Sequence, residues 1–88
     1  MKTVDYEKLV KSFKRGKDIL GNVYYESEEY GFRIYKDINP YKSTSKVIKY
    51  RYRIFKLYNG KYENTFEEAS TKEWAINNIH AKLELEIY

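Results

Sequence analysis

The sequence contains no cysteine and only one histidine, His80, and both scarcities exclude kinds of chemistry. Without cysteine there is no disulfide framework, zinc–thiolate site, iron–sulfur cluster or cysteine nucleophile. A single histidine near the end of a predicted helix is more typical of a surface position than of a general base. No second histidine stands beside it to complete a zinc ligand set. We therefore predict no enzymatic activity, no catalytic residue, no metal site and no cofactor.

Glycine and long apolar runs are scarce as well. The four glycines are isolated, so the sequence has none of the glycine motifs that cradle phosphates in nucleotide-binding enzymes. No segment approaches the roughly 20 apolar residues that cross a bilayer, and residues 1–20 lack the apolar run of a signal peptide. These absences predict a protein without a membrane partner that acts in the cytoplasm, in that of the host cell if a phage encodes it.

What the sequence does contain is enough for one domain, residues 1–88. Hydrophobic residues make up 42% of the chain and aromatic residues 18%, which is too apolar a composition for disorder. No internal repeat, low-complexity segment or linker divides the sequence. We therefore expect a single core in which aromatic side chains take a large share.

The first apolar residues recur every three or four positions, at Tyr6, Leu9, Val10, Phe13 and Leu20. This spacing predicts an amphipathic helix over residues 5–20. Gly21 follows the last of these apolar residues, and glycine is the residue that most often ends a helix. The first element of the fold is therefore predicted to be a long helix.

Alternation with a period of two predicts strands in the middle of the sequence. Residues 29–37 alternate clearly, and residues 23–27 form either a shorter strand or the approach to one. Asn39-Pro40 and the Ser/Thr-rich residues after it predict a loop that leads to the longest strand, residues 46–58. In that strand the apolar parity shifts at Ile54-Phe55, which predicts a β-bulge.

The end of the sequence predicts a hairpin and a helix. Asn59-Gly60 is typical of a two-residue type I′ turn, with residues 61–66 as the returning strand. A helix then begins at one of two capping-box patterns, Thr65 to Glu68 or Ser70 to Glu73. Its apolar positions are Ala75, Ile76, Ile79 and Leu83, with Trp74 beside them as the main anchor against the sheet. Residues 83–88 fit a fraying helix, which we prefer, or a closing strand.

Together these elements predict an α+β domain in the order α-β-β-β-α, or the same order with one additional short strand. The sheet is expected to be antiparallel, with three or four strands and with the helices packed on one face. The other face of the sheet is left without a covering helix and is expected to be wet.

Most of the positive charge lies in the longest predicted strand and its hairpin. Residues 46–61 hold six basic residues and no acid, in a chain with a formal net charge of +4. The parity of the two predicted strands places five side chains together on the uncovered face, Arg33, Tyr35, Lys49, Arg51 and Arg53. A basic and aromatic surface on rigid strands is typical of nucleic-acid binding. The alternative is that these cations only keep an exposed sheet soluble and guard it against edge pairing.

Residues 50–84 resemble the small arm-type DNA-binding domains of phage and transposon tyrosine recombinases, and AP2-type domains. The shared features are strands that lead through an Asn-Gly-Lys hairpin into a helix. In those families the sheet enters the major groove, so the resemblance implies that Arg51 and Arg53 contact bases and phosphates, with Lys61 near the backbone. The sequence departs from the pattern in its N-terminal helix, its long loop over residues 37–46 and its acidic residues after the hairpin.

The chain also resembles, in size and style, the small phage-encoded inhibitors of host defence nucleases, anti-CRISPR proteins among them. Those proteins act by occupying the surface of a partner. Eleven tyrosines in 88 residues suit such a role, since tyrosine is enriched at binding surfaces.

The sequence therefore predicts a non-enzymatic binding module encoded by a phage or mobile element. Its predicted partner is nucleic acid, with DNA favoured over RNA, bound through Arg33, Tyr35, Lys49, Arg51, Arg53 and Lys61. The alternative partner is a host nucleic-acid-processing or defence enzyme that the chain inhibits by occupying its surface. An exposed sheet edge could in addition pair two copies into a homodimer.

Overall fold

The computed structural model describes residues 2–38 and 50–87 and contains two helices and five strands in that part of the chain. The elements are α1 (Tyr6–Ser12), β1 (Lys14–Lys17), β2 (Val23–Ser27), β3 (Phe32–Ile38), β4 (Tyr50–Tyr58), β5 (Lys61–Ala69) and α2 (Lys72–Glu84). The strands form one antiparallel sheet in the order β1-β2-β3-β4-β5. The α+β class is confirmed, but the predicted three or four strands are wrong, and the element order is α-β-β-β-β-β-α.

The additional strand arises where the first helix was expected to continue. The predicted helix over residues 5–20 is wrong, because α1 ends at Ser12 and the backbone of Phe13 is already extended, with ψ at 125°. Residues 14–17 instead pair with β2, where Gly16 lies opposite Tyr24. Asp18 then closes a tight turn, since its Oδ1 accepts hydrogen bonds from the backbone N–H groups of Leu20 and Asn22, both at 2.9 Å.

The remaining strands follow the predicted pattern with shifted bounds. Residues 23–27 are a strand, β2, so the shorter strand is the correct one of the two alternatives for this segment. The next strand begins at Phe32 and not at residue 29, because Gly31 adopts φ +75° and its N–H donates to the Ser27 carbonyl in the preceding turn. Residues 46–49 of the longest predicted strand, and most of the loop expected before it, lie outside the described residues.

The hairpin between β4 and β5 is confirmed. Asn59 and Gly60 both adopt positive φ, 50° and 79°, as the two central residues of a type I′ turn do. The β4–β5 register shifts between Ile54 and Phe55, where a bulge was predicted, but the extra residues, Thr65 and Phe66, belong to β5. Against β3 the pairing of β4 is continuous. The alternation within β4 therefore persists, and Phe55 shares a face with Arg51 and Arg53.

The second helix uses neither predicted capping box. Its N-cap is Thr71, whose Oγ1 accepts a hydrogen bond from the Trp74 N–H at 3.1 Å. Thr65 lies in β5 instead. The helix continues to Glu84, with Leu85 as its C-cap. Residues 83 and 84 are therefore helical, as preferred, and residues 85–87 form no strand. Trp74 is 64% exposed, and the prediction that it anchors the helix is wrong.

The core lies on one face of the sheet, beneath both helices. It is built from side chains that are at most 2% exposed, namely Leu9, Phe32, Ile34, Ile54, Ala75, Ile76 and Ile79. These residues come from α1, β3, β4 and α2. The predicted burial of Ala75, Ile76 and Ile79 is confirmed, and the helices pack on a single face as expected.

The opposite face of the sheet carries no helix in the part of the chain that the structure describes, and we call it the open face. Cross-strand pairing shows which side chains share it, because directly paired residues point to the same side. They are Lys14, Gly16, Tyr24, Glu26, Arg33, Tyr35, Asp37, Arg51, Arg53, Phe55, Leu57, Tyr62, Asn64 and Glu68.

Candidate binding surface

The open face collects four of the six predicted site residues, Arg33, Tyr35, Arg51 and Arg53. Tyr35 lies directly opposite Arg53 in the β3–β4 ladder. Lys61 does not join them, since it begins β5 opposite Tyr58, on the parity that belongs to the helical side. The prediction for Lys49 lies outside the described residues.

Arg33 is the best-connected side chain of this surface. Its Nε donates to Glu26 Oε1, and its Nη1 donates to the Tyr35 hydroxyl at 3.0 Å. Its Cζ lies 4.3 Å from the ring centroid of Tyr24 and 4.5 Å from that of Tyr62. Burial alone lowers the pKa of Arg33, but the hydrogen bonds to Glu26 and Tyr35 outweigh it and hold the pKa above its usual value. The guanidinium is therefore fixed in place by rings on both sides and by two hydrogen bonds.

The other two arginines are also paired with carboxylates. Arg53 Nε donates to Asp37 Oδ2, and the Arg53 guanidinium lies 5.4 Å from the ring centroid of Phe55. Arg51 Nη1 donates to Glu68 Oε2 at 3.2 Å. The three pairs span the sheet from β2 to β5.

This pairing changes the electrostatic character expected of the surface. Residues 46–61 contain no acid, but the neighbouring strands supply one carboxylate to each arginine, namely Glu26, Asp37 and Glu68. Each of these three arginines is therefore neutralised by a carboxylate of its own. One of these acids could have been found from the sequence, because Asp37 has the same parity as Arg33 and Tyr35 in the predicted strand.

Aromatic side chains link the ion pairs into one layer. The rings of Tyr35 and Phe55 lie 4.9 Å apart at an interplanar angle of 63°, and those of Tyr24 and Tyr35 lie 5.5 Å apart. These distances are within the range of favourable aromatic contacts. Of this group, only Tyr35 is predicted on the open face from the sequence. Tyr24, Phe55 and Tyr62 were missed because their face depends on the pairing register.

The arrangement is suited to binding, since its polar groups are arginines, carboxylates and phenols held against one another. In the described ranges, no three histidine, cysteine or acidic side chains lie together as a metal site. His80 is on the far side of the sheet, where its Nε2 is 2.8 Å from the Val4 carbonyl oxygen and its ring contacts Tyr6. Neither helix described by the structure is long and apolar enough to cross a membrane.

Comparison of the chain with protein-family models, with curated proteins and with solved structures finds no match. The resemblances noted in the sequence stay expectations.

Proposed function

We propose that the chain is a non-enzymatic binding module that holds another protein on its open face and acts by occupying that partner's surface. The observation that carries this proposal is the neutralised layer of arginines and aromatic rings around Arg33. Tyrosine and arginine are among the residues enriched at protein–protein interfaces and at their energetic hot spots.

The rigidity of the layer supports the same proposal. Arg33, Tyr35 and Phe55 are held by one another and by rigid strands, so little side-chain freedom remains to be lost on binding. Interfaces that are ordered before binding avoid part of the entropy cost of association. The carboxylates beside the arginines would in addition repel a polyanion, whereas a protein surface with mixed charges can match them.

The partner class we propose is a host nucleic-acid-processing or defence enzyme, as the likeness in style to phage inhibitors implies. Such enzymes carry basic surfaces for their substrates. Residues 62–88 of this chain contain six acidic and two basic side chains, so this part of the molecule complements a basic partner next to the open face.

The test is a comparison of two aromatic variants in a capture experiment. The tagged chain is incubated with nuclease-treated extract of host cells, and the proteins retained in stoichiometric amount are identified and then purified for titration. The double variant Tyr35→Ala with Phe55→Ala removes aromatic rings from the open face and should weaken binding at least tenfold. Tyr58→Ala is the matched control, because Tyr58 is on the other parity and 46% exposed. Equal binding by both variants, or loss of every partner after nuclease treatment, would overturn the proposal.

Nucleic acid is the second candidate, and one observation favours it. Arg33, Arg51 and Arg53 lie together with Tyr35 and Lys14 on one surface that no described helix covers. Arginine can exchange a carboxylate for a phosphate with the same bidentate geometry. Nucleic-acid binding by this face would involve DNA more than RNA, as the likeness to arm-type domains implies.

Salt dependence separates this candidate from the first. If about four to five phosphates are contacted, log affinity for duplex DNA should fall against log salt with a slope of roughly −3 to −5. Replacement of Arg51 and Arg53 by Gln should then abolish binding, and circular dichroism checks that the variant is folded. If a protein is the target, binding of the wild type to duplex DNA should already be weak at physiological salt, in the non-specific range of about 10⁻⁴–10⁻⁶ M.

A further inference from the structure

The two outer strands of the sheet carry opposite charges. The sheet order places β1 at one edge and β5 at the other. β1 consists of three basic residues and one glycine, and Lys14, Arg15 and Lys17 are all exposed. β5 carries three acids against one lysine, with Glu63 exposed. Edge strands present unpaired backbone groups to which another strand can add.

The β5 edge also bears an aromatic side chain in an unusual backbone conformation. Phe66, in the bulge of β5, has φ +64° and is 89% exposed. For a bulky residue this conformation is a genuine outlier and costs about 1–2 kcal/mol. It is held by side chains, since the Phe66 N–H donates to Asn64 Oδ1 at 2.8 Å and Thr65 Oγ1 donates to the Ile54 carbonyl at 2.7 Å. The chain thus specifies a strained turn that places a large ring in solvent.

A cleft of about 450 Å³ lies at the opposite edge of the sheet. Tyr24 is among its lining residues, and the Tyr24 ring packs closely against Gly16. A Cβ at Gly16 would lie 2.9 Å from that ring. Lys14 and Arg15 line the same cleft, together with Glu26, Glu28 and Glu29. Glu26 is paired with Arg33 and Glu29 with Lys8, so Lys14 and Arg15 remain to meet an acid such as Glu63 on the edge that carries Phe66.

We propose that a second copy of this chain docks its β5 edge against the β1 edge, with Phe66 entering the cleft over Tyr24. Glu63 of the docking copy then faces the cations of β1. The contact is heterologous, because it joins two different surfaces of the same molecule, and it leaves one free edge of each kind on the pair. Further copies can add in the same direction. The proposal goes beyond the binding of a partner on the open face, since it joins two copies of this chain through the two edges of the sheet and shares only Tyr24 with the aromatic layer of that face.

The small size of the contact sets the expected strength. β1 has four residues, and the bulge interrupts β5, so few backbone hydrogen bonds can form between copies. Short, charged and bulged edges are also the features by which proteins prevent strand pairing. We therefore expect assembly only at high protein concentration, and a chain that stays monomeric there would show that these features act as protection.

Sedimentation velocity of the purified chain over a wide concentration range is the first test. The mean mass should rise from the monomer value of 10.7 kDa past twice that value without a plateau. High salt should reduce the association, because it screens the edge charges. Phe66→Asn should keep the chain monomeric, since asparagine tolerates positive φ but removes the ring. Leu85→Asn is the matched control, because it removes another exposed apolar side chain, 58% exposed, and should assemble like the wild type.

A mixing experiment tests the head-to-tail geometry. One variant, Phe66→Asn with Glu63→Lys, keeps only the β1 edge, and the other, Arg15→Glu with Lys17→Glu, keeps only the β5 edge. Each variant alone should be a monomer with the far-ultraviolet circular dichroism of the wild type. Mixed in equal amounts they should form a dimer that grows no further. A wild type that stays monomeric or stops at a closed dimer, or variants that fail to combine, would overturn the proposal.

Discussion

The guanidinium of Arg33 lies between the rings of Tyr24 and Tyr62 while its Nε donates to the carboxylate of Glu26. The Glu26 side chain is only 19% exposed, so removal of its partner leaves a largely buried charge without compensation. Arg33→Met should therefore lower the free energy of unfolding by about 2 kcal/mol. Urea denaturation followed by circular dichroism measures this change.

A double-mutant cycle provides the control for Arg33. In a Glu26→Gln background an uncharged amide replaces the carboxylate. Arg33→Met should then lower the free energy of unfolding clearly less than it does in the wild type. Equal costs in both backgrounds would contradict a coupling between the two side chains. Arg33→Lys should recover only part of the loss, because lysine keeps the charge but not the planar stacking between the rings.

Stability should fall at alkaline pH through two tyrosines. Burial raises the pKa of Tyr52 and, with the nearby Glu26 carboxylate, that of Tyr62. The folded chain therefore keeps these phenol protons at a pH where the unfolded chain, with a tyrosine pKa of about 10, loses them. The stabilisation is complete below about pH 10 and is lost as the pH rises through the raised pKa values.

Phenylalanine variants isolate this contribution from the titration of lysine. Between about pH 9 and about pH 11, the free energy of unfolding should decline less steeply in Tyr52→Phe and in Tyr62→Phe than in the wild type. Urea midpoints at several pH values give the comparison. Parallel profiles for the wild type and both variants would show that neither phenol titrates differently in the folded and unfolded states.

Gly16 should tolerate no side chain. A Cβ at this position would lie 2.9 Å from Cε1 and Cζ of Tyr24, whose ring is held against Arg33 and Tyr35. Gly16→Ala should lower the free energy of unfolding by about 1–2 kcal/mol through overpacking. Thermal denaturation measures the effect. In a Tyr24→Ser background the same change should cost much less, and an undiminished cost there would assign the effect to the backbone instead.

Phe66→Asn should make the chain more stable. The ring is 89% exposed, so little buried surface is lost, while asparagine accepts the φ of +64° with less strain. We expect an increase of about 0.5–1 kcal/mol in the free energy of unfolding. Thr65→Val is the comparison, because it removes the hydrogen bond to the Ile54 carbonyl and should destabilise by about 1 kcal/mol. A loss of stability in Phe66→Asn would mean that the ring packs against its own chain.

The sequence predicted the elements whose signals are local. Alternation along residues 50–58 and the Asn59-Gly60 turn define a hairpin without reference to the rest of the chain, and Ala75, Ile76 and Ile79 mark the buried side of α2. Strand β1 was missed because Lys14–Lys17 contains no apolar side chain, so the segment shows no alternation of apolar and polar residues. Its pairing with β2 depends on a contact across the sheet, between Gly16 and Tyr24, which helical spacing in the sequence does not reveal.

The sequence predicted the arginines of the open face but not the carboxylates that pair with them. Parity within single strands placed Arg33, Arg51 and Arg53 on one face, where the structure has them. The net charge of that face was inferred from residues 46–61 alone, however. In a sheet, one face also carries side chains from neighbouring strands, and here those strands supply the acids. Asp37 and Glu68 reach the arginines of β4 through cross-strand register, which depends on loop lengths and on the bulge in β5.

The apolar side of the sheet is covered by helices from opposite ends of the described chain, and α1 and α2 touch each other there. During synthesis on the ribosome, Phe32, Ile34 and Ile54 therefore remain partly exposed to water until α2 has emerged. Nascent chains truncated before residue 72 should expose this apolar surface, aggregate easily and bind chaperones. Completion of the fold should thus be a late event, set by the emergence of α2 and not by the earlier formation of the strands.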